Sequence, residues 1–141
     1  MRKFAKLLSM EADDRALVLQ AAASLLVCRI GIFFFRFERL QRWVTRTKRT
    51  KQAAPISKLI WAAMLGTRII PNSTCLVRAL AASRLLAQNG YKSTLHIGVK
   101  RTAGLFEAHA WVEYDGRAII GSGEAQHFVR LVSWDNEHIQ P

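Results

Sequence analysis

The sequence predicts an α+β fold in which a helical N-terminal half packs on a small antiparallel sheet. Three observations carry this. Apolar residues recur at helical spacing as far as Gln88; beyond Gly90 the period falls to two; and Asp115-Gly116 is a strong two-residue hairpin signal. With 141 residues, 50% of them apolar and 22% charged, the chain has room for one domain with one core. That domain is read over residues 1–141, with a helical portion over 1–66 and a second portion, one helix followed by strands, over 72–134.

Asp13 or Asp14 is placed to cap the first long helix, which runs through the apolar stretch 16–35 and bends or ends near Gly31. Twenty mostly apolar residues approach membrane-spanning length. Gln20, Ser24 and Arg29 interrupt the stretch, however, and a central Arg costs about 2.5–3.5 kcal/mol on insertion scales. No small-residue cleavage site follows a short apolar region, which argues against a signal peptide. The stretch therefore reads as a buried or groove-packing helix. A membrane-associated helix, helped by flanking Arg and Lys, is the rival and is not favoured.

A basic amphipathic helix is expected over residues 37–50 and a connection over 52–55. Pro55 is placed to start a helix over Ile56–Leu65, which Gly66 would stop. Pro71-Asn72-Ser73 is a turn and capping cluster. It leads into a helix over Thr74–Gln88 with Leu76, Ala79, Leu80 and Leu86 on one stripe, closed by Asn89-Gly90. Leu95, Ile97 and Val99 then alternate with polar or small residues as a half-buried strand. A second strand covers Ala108–Tyr114 and returns through Arg117–Ile120, and residues 126–134 supply one more.

The net charge is +11, and residues 36–51 hold seven Arg or Lys against one acid. Such a balance suggests an acidic partner. The stripe reads first as a solvated helix face and second as a docking face for a peptide or protein. Nucleic acid is not expected, because no RNP-type, GXXG or zinc-finger pattern occurs. The two cysteines, Cys28 and Cys75, are far apart and form neither a disulfide scaffold nor a zinc site. Neither a metal nor a cofactor is expected, and free thiols fit a cytoplasmic location.

Cys75 falls in the first turn of its helix, just after the capping cluster. A thiol there faces unpaired backbone N–H groups and the positive end of the helix dipole, and both favour the nucleophilic thiolate. Free cysteines are also commonly small buried apolar residues. His109 opens a strand and shares one sheet face with Trp111 and Glu113, so it can serve as a general base facing a helix terminus. The plain alternative for His109, and the reading for His96, is a hydrogen-bonded histidine of a half-buried strand. His127 and His138 have no evident role.

A third group should orient the imidazole. Counting outward from the Asp115-Gly116 turn pairs Tyr114 with Arg117 and sets His109 opposite Ser122. Gly121, Ser122 and Gly123 are then best placed to touch the ring, and none is acidic. Glu124 is next along; Ser122, Asp115, Asn72 and Gln126 are the alternatives, with Asp115 at the wrong end of the hairpin.

The block Asn72-Ser73-Thr74-Cys75-Leu76-Val77-Arg78-Ala79-Leu80 resembles the nucleophile helix of the lasso-peptide leader peptidases, in the transglutaminase-like superfamily with its papain-type Cys, His and Asp. Residues 91–100 and the run Ala108-His109-Ala110-Trp111-Val112-Glu113, followed by Asp115-Gly116-Arg117, resemble the same family. The resemblance implies a cysteine protease that removes the leader from a ribosomally made precursor peptide. It further implies a macrolactam-forming cyclase as partner. The chain is short and begins with helix, which suits the split, stand-alone peptidase form with a separate small leader-recognition protein. The stripe 36–51 is a candidate surface for that partner or for the leader. Family members often carry Asp twelve residues after the histidine, where this chain has Gly121. Glu124 or a neighbour then orients His109, or the pair acts as a dyad, or the chain is an inactive homologue. The alternative function is a non-catalytic scaffold, or a membrane- or partner-binding protein, of a peptide-maturation complex.

Overall fold

Helices come first. α1 (Arg2–Leu8), α2 (Ala12–Phe34), α3 (Phe37–Thr45), α4 (Ile56–Ile69) and α5 (Cys75–Gln88) follow in order, with the short β1 (Arg46–Lys48) between α3 and α4. Then come β2 (Thr94–Thr102), β3 (Leu105–Tyr114), β4 (Arg117–Ile120), β5 (Val129–Asp135) and β6 (Glu137–Ile139), with a 3-10 turn over Ala125–His127 before β5. The structure is a computed structural model that describes residues 2–48, 54–123, 125–135 and 137–139. Strands β4, β3, β2 and β5 form one antiparallel sheet in that order, while β1 and β6 pair in parallel beside it. This is the α+β arrangement of helices and antiparallel sheet that the sequence predicts.

α5 is buried on nearly all sides: Val77, Ala79, Leu80, Ala81, Ala82, Leu85 and Leu86 are all inside. A helix can be apolar all round only where neighbours cover every face. Here α2 and α4 pack on one side and β3 on the other, through Ala110 and Val112. The alanines let these neighbours come close. Each fully buried leucine of the cluster, such as Leu25, Leu59, Leu80 or Leu85, contributes about 1.5–3 kcal/mol of transfer free energy. Trp111, Ala125 and Phe128 make a second, smaller cluster. Alternation along β3 assigns Trp111 to the sheet face opposite Ala110 and Val112.

Each polar interruption of the α2 apolar stretch has a tertiary partner or place. Gln20 Nε2 donates to Gln88 Oε1 at 3.1 Å, Ser24 is buried, and Arg29 Nη1 donates to the Pro71 carbonyl at 2.8 Å. The packing face is therefore read correctly as buried, though the opposite face is not.

Several boundaries move. α2 is preceded by Glu11 as its cap residue, so Asp13 and Asp14 lie in the first turn rather than at the cap. Asp14 instead accepts a hydrogen bond from Lys58 Nζ at 2.7 Å, joining α2 to α4. Gly31 and Gly66 do not stop their helices. A Cβ at Gly31 would come within 2.9 Å of Leu40 Cδ1, and one at Gly66 within 3.2 Å of Leu25 Cδ1, so both positions are small because another helix crosses there. The basic helix expected to residue 50 ends at Thr45 and passes into β1, and the helical portion expected over 1–66 runs on to Ile69. Residues 126–127 belong to the 3-10 turn, and the strand expected from 126 begins at Val129. Residues 49–53 lie outside the described residues.

Candidate active site

The turn before α5 sets the position of Cys75. Asn72 takes a left-handed φ of 62°, Ser73 Oγ donates to the Ile70 carbonyl at 3.1 Å, and Arg29 grips the Pro71 carbonyl from α2. Thr74 is the cap: its Oγ1 accepts from the Val77 N–H at 3.3 Å, and its carbonyl accepts from the Arg78 N–H at 3.0 Å. Cys75 is thus the first residue of the helix and is exposed. The N–H groups of Cys75 and Leu76 have no intrahelical acceptor, as helix geometry requires of a first turn.

His109 arrives from the sheet. It stands five residues before Tyr114 on β3, and Tyr114 pairs with Arg117 around the tight turn, where Asp115 and Gly116 have φ of 51° and 77°. Positive φ at both turn residues is what a type I′ hairpin demands. The β3–β4 register then shifts by one residue between Val112 and Glu113, so Val112 faces Ile120 and the predicted pairing of His109 with Ser122 is not formed. Instead β4 ends at Ile120, and the chain turns at Gly121 with a φ of +73°. His109 Nε2 donates to the Gly121 carbonyl at 2.9 Å. A Cβ at this glycine would stand 2.9 Å from the Ala110 carbonyl oxygen and 3.2 Å from His109 Nε2. A side chain there, including the aspartate that the resemblance leads one to expect, would be strained by the φ and crowded against the Ala110 carbonyl.

Trp111 steadies the imidazole from below. The two rings are nearly parallel, 18° apart with centroids at 6.0 Å, and the Phe128 ring lies 5.1 Å from His109. Trp111 itself lies over Gly98, where a Cβ would meet its ring at 2.8 Å. Its Nε1 donates to Glu113 Oε1 at 3.2 Å, and Arg130 Nη2 donates to the same oxygen at 2.7 Å. His96 is buried on the far side of Trp111, with Nδ1 2.5 Å from Ser133 Oγ and Nε2 3.1 Å from Glu113 Oε2. Burial pushes the Glu113 carboxyl up. The Trp111 and His96 hydrogen bonds and the nearby His96 and Arg130 charges outweigh that, leaving it below the ordinary carboxylate value.

Cys75 and His109 line one cavity of about 520 Å³. Its walls come from α2, α4, α5 and the β3–β4 edge, with Leu25, Trp61, Met64, Leu85, Ile119 and Ile120 as the apolar lining and Arg68, Arg78 and Ser122 as polar members. Among the described residues, Gly121 is the hydrogen-bond partner of His109, which leaves Nδ1 as the ring nitrogen for a thiol to use. Of the third-member candidates, Ser122 shares the cavity. Asp115 sits at the hairpin tip and is not brought to His109, and Asn72 is in the turn before α5. Glu124 and the Gln126 side chain lie outside the described residues. Among the described residues no three His, Cys, Asp or Glu groups converge as metal ligands would.

The Gly121 carbonyl was within reach of the hairpin count, which named Gly121 among the residues beside His109. That its main chain does the bonding has no signature in residue type. The Trp111–Glu113–Arg130 chain had half a signal, since Trp111 and Glu113 share the strand face of His109.

A family model described as the transglutaminase-like superfamily matches residues 17–133. That span holds most of α2, all of α3 to α5, the candidate pair and nearly all of the four-stranded sheet. No curated protein and no solved structure matches the chain.

Proposed function

The chain belongs to the transglutaminase-like superfamily, which includes cysteine peptidases, and we propose that it is one: a leader peptidase acting on a ribosomally made lasso-peptide precursor. The observation that carries the chemistry is the shared cavity, with an exposed Cys75 at the first residue of α5 and His109 anchored by Nε2 to a main-chain carbonyl. The lasso-peptide specificity rests on the sequence blocks around Cys75 and His109.

In this reading the Nε2–H bond to Gly121 fixes the tautomer that leaves Nδ1 as the acceptor. Nδ1 takes the proton from Sγ as Sγ attacks the scissile carbonyl carbon. The N–H groups of Cys75 and Leu76, free at the helix end, are suited to the developing oxyanion. His109 then returns the proton to the departing amine, leaving a thioester on Cys75. Water, deprotonated by Nδ1, hydrolyses that thioester and restores the thiol. A neutral carbonyl supports imidazolium less than a carboxylate does, so the pair works as a dyad with a backbone aid.

Cys75→Ala should abolish release of the leader from a synthetic precursor, followed by mass spectrometry, while far-UV circular dichroism stays unchanged. Retained cleavage would sink the assignment. The accompanying partners, a separate leader-recognition protein and a cyclase, are part of the same proposal and stand on the resemblance. A second reading draws on Gly121, which stands where a carboxylate is expected: a non-catalytic scaffold of the maturation complex. It predicts a Cys75 no more reactive than Cys28.

A further inference from the structure

Helix α2 has two apolar faces, and the fold covers one. Val18, Ala21, Leu25 and Cys28 are buried in the core with residues of α4 and α5. Leu19, Leu26, Ile30, Phe33 and Phe34 are exposed and recur on a helical period, forming a second stripe along the helix. A contiguous exposed apolar stripe marks an interaction surface. Its C-terminal end is the most apolar part: Phe33 is 82% exposed, Phe34 78% and Phe35 57%.

Charge divides the same helix. Glu11, Asp13 and Asp14 stand at its start with Arg15 beside them and Asp14 paired to Lys58, while the phenylalanine end runs directly into Arg36 and Arg39, both exposed, with Glu38 as the acid between them. We propose that this end, Phe33 to Phe35 with Arg36 and Arg39, docks the protein peripherally on an anionic phospholipid bilayer. Phenyl rings entering the headgroup–acyl boundary supply the apolar term, and guanidinium groups beside them meet lipid phosphates with planar, bidentate geometry. The overall charge of +11 draws the chain to such a surface.

The charge division selects a bilayer over a protein groove. A groove would cover the stripe from Leu19 to Phe34 evenly, whereas an anionic membrane favours its aromatic tip beside Arg36 and Arg39. Docking on the surface also fits better than crossing. The 23 residues of α2 are long and apolar enough to span, but one face is bound into the core, and spanning would pull it out. This surface stands apart from the cavity chemistry and does not depend on it.

Sedimentation of the full chain with vesicles tests the proposal. Binding is expected to vesicles of phosphatidylcholine mixed with phosphatidylglycerol and to be weak with phosphatidylcholine alone. The pair Phe33→Ser and Phe34→Ser should weaken binding about tenfold or more, and so should Arg36→Glu with Arg39→Glu. Leu19→Ser, at the acidic end, should leave it unchanged. As a measurement that does not rely on a loss, Phe34→Trp should blue-shift its emission on mixed vesicles and be quenched by brominated lipid. No binding to mixed vesicles, equal binding by the Phe33 and Phe34 double variant, or an unshifted Phe34→Trp emission would overturn the proposal. So would a Leu19→Ser loss as large as that of the double variant, since the phenylalanine tip would then have no special part in binding.

Discussion

Cys28 and Cys75 lie on packed helices of one molecule and occupy opposite environments. Cys28 is in the middle of α2, fully buried, and burial pushes its thiol up to about 12 although the Arg84 charge pulls the other way. Cys75 is the first residue of α5, exposed, beside the cavity that His109 also lines. The same side chain is thus a core filler at one place and a candidate nucleophile at the other. What separates them is position along the helix: a mid-helix thiol on a packing face is shut away from water, and a first-turn thiol meets unpaired N–H groups and solvent.

The largest test of this contrast is reactivity. Iodoacetamide at neutral pH should label Cys75 roughly a hundredfold or more faster than Cys28, measured by peptide mass spectrometry, and the ratio should collapse in denaturant. Equal rates in the native protein would remove the distinction. Next comes the anchor of His109. Gly121→Asp restores the residue type that the resemblance leads one to expect, yet the φ of +73° and the 2.9 Å approach to Ala110 O make it a strain site. It should lower stability by about 1–3 kcal/mol in urea unfolding and slow cleavage rather than speed it. A faster, equally stable variant would show that position 121 accepts a carboxylate after all.

Thr74→Ala sharpens the helix-start side. Loss of the cap should cost about 0.5–2 kcal/mol and lower the labelling rate of Cys75 with no effect on Cys28. The smallest effect concerns pH. Glu113 has a folded pKa below its unfolded one, so the stability it adds is present above the ordinary carboxylate range and is lost as pH falls through the folded value. The wild-type melting temperature should therefore fall more steeply than that of Glu113→Gln below about pH 4. Parallel acid curves would dissociate Glu113 from folding.

The sequence made the β3–β4 turn legible to the residue and α5 to within one, because both are punctuated by local chemistry: the polar cluster ahead of the helix, whose cap is Thr74 rather than Ser73, Gly90 at the stop, and Asp115-Gly116 at the hairpin. Cys75 is a candidate by the same helix-start signals, and His109 by its place on a strand that shares a face with Trp111. Gly66 misled, since a glycine that admits a crossing helix looks like a glycine that ends one. The one-residue slip in β4 was hidden as well; periodicity of two carries no mark of a bulge, and that slip decides which group meets the imidazole. The exposed face of α2 was disguised by its composition, as an apolar residue reads as buried until packing assigns it a side.

The hydrogen bond from His109 to Gly121 ends on an atom that every amino acid possesses. Replacing side chains one at a time deletes functional groups, and this acceptor survives all of them. A substitution at residue 121 would therefore report on strain and space and leave the acceptor behind the histidine in place. Isotopic labelling reaches what genetics does not: with carbon-13 at the Gly121 carbonyl, its infrared stretch follows the protonation of the ring across a pH titration. The grammar of this site is partly written in the main chain, and it is there that its third word should be read.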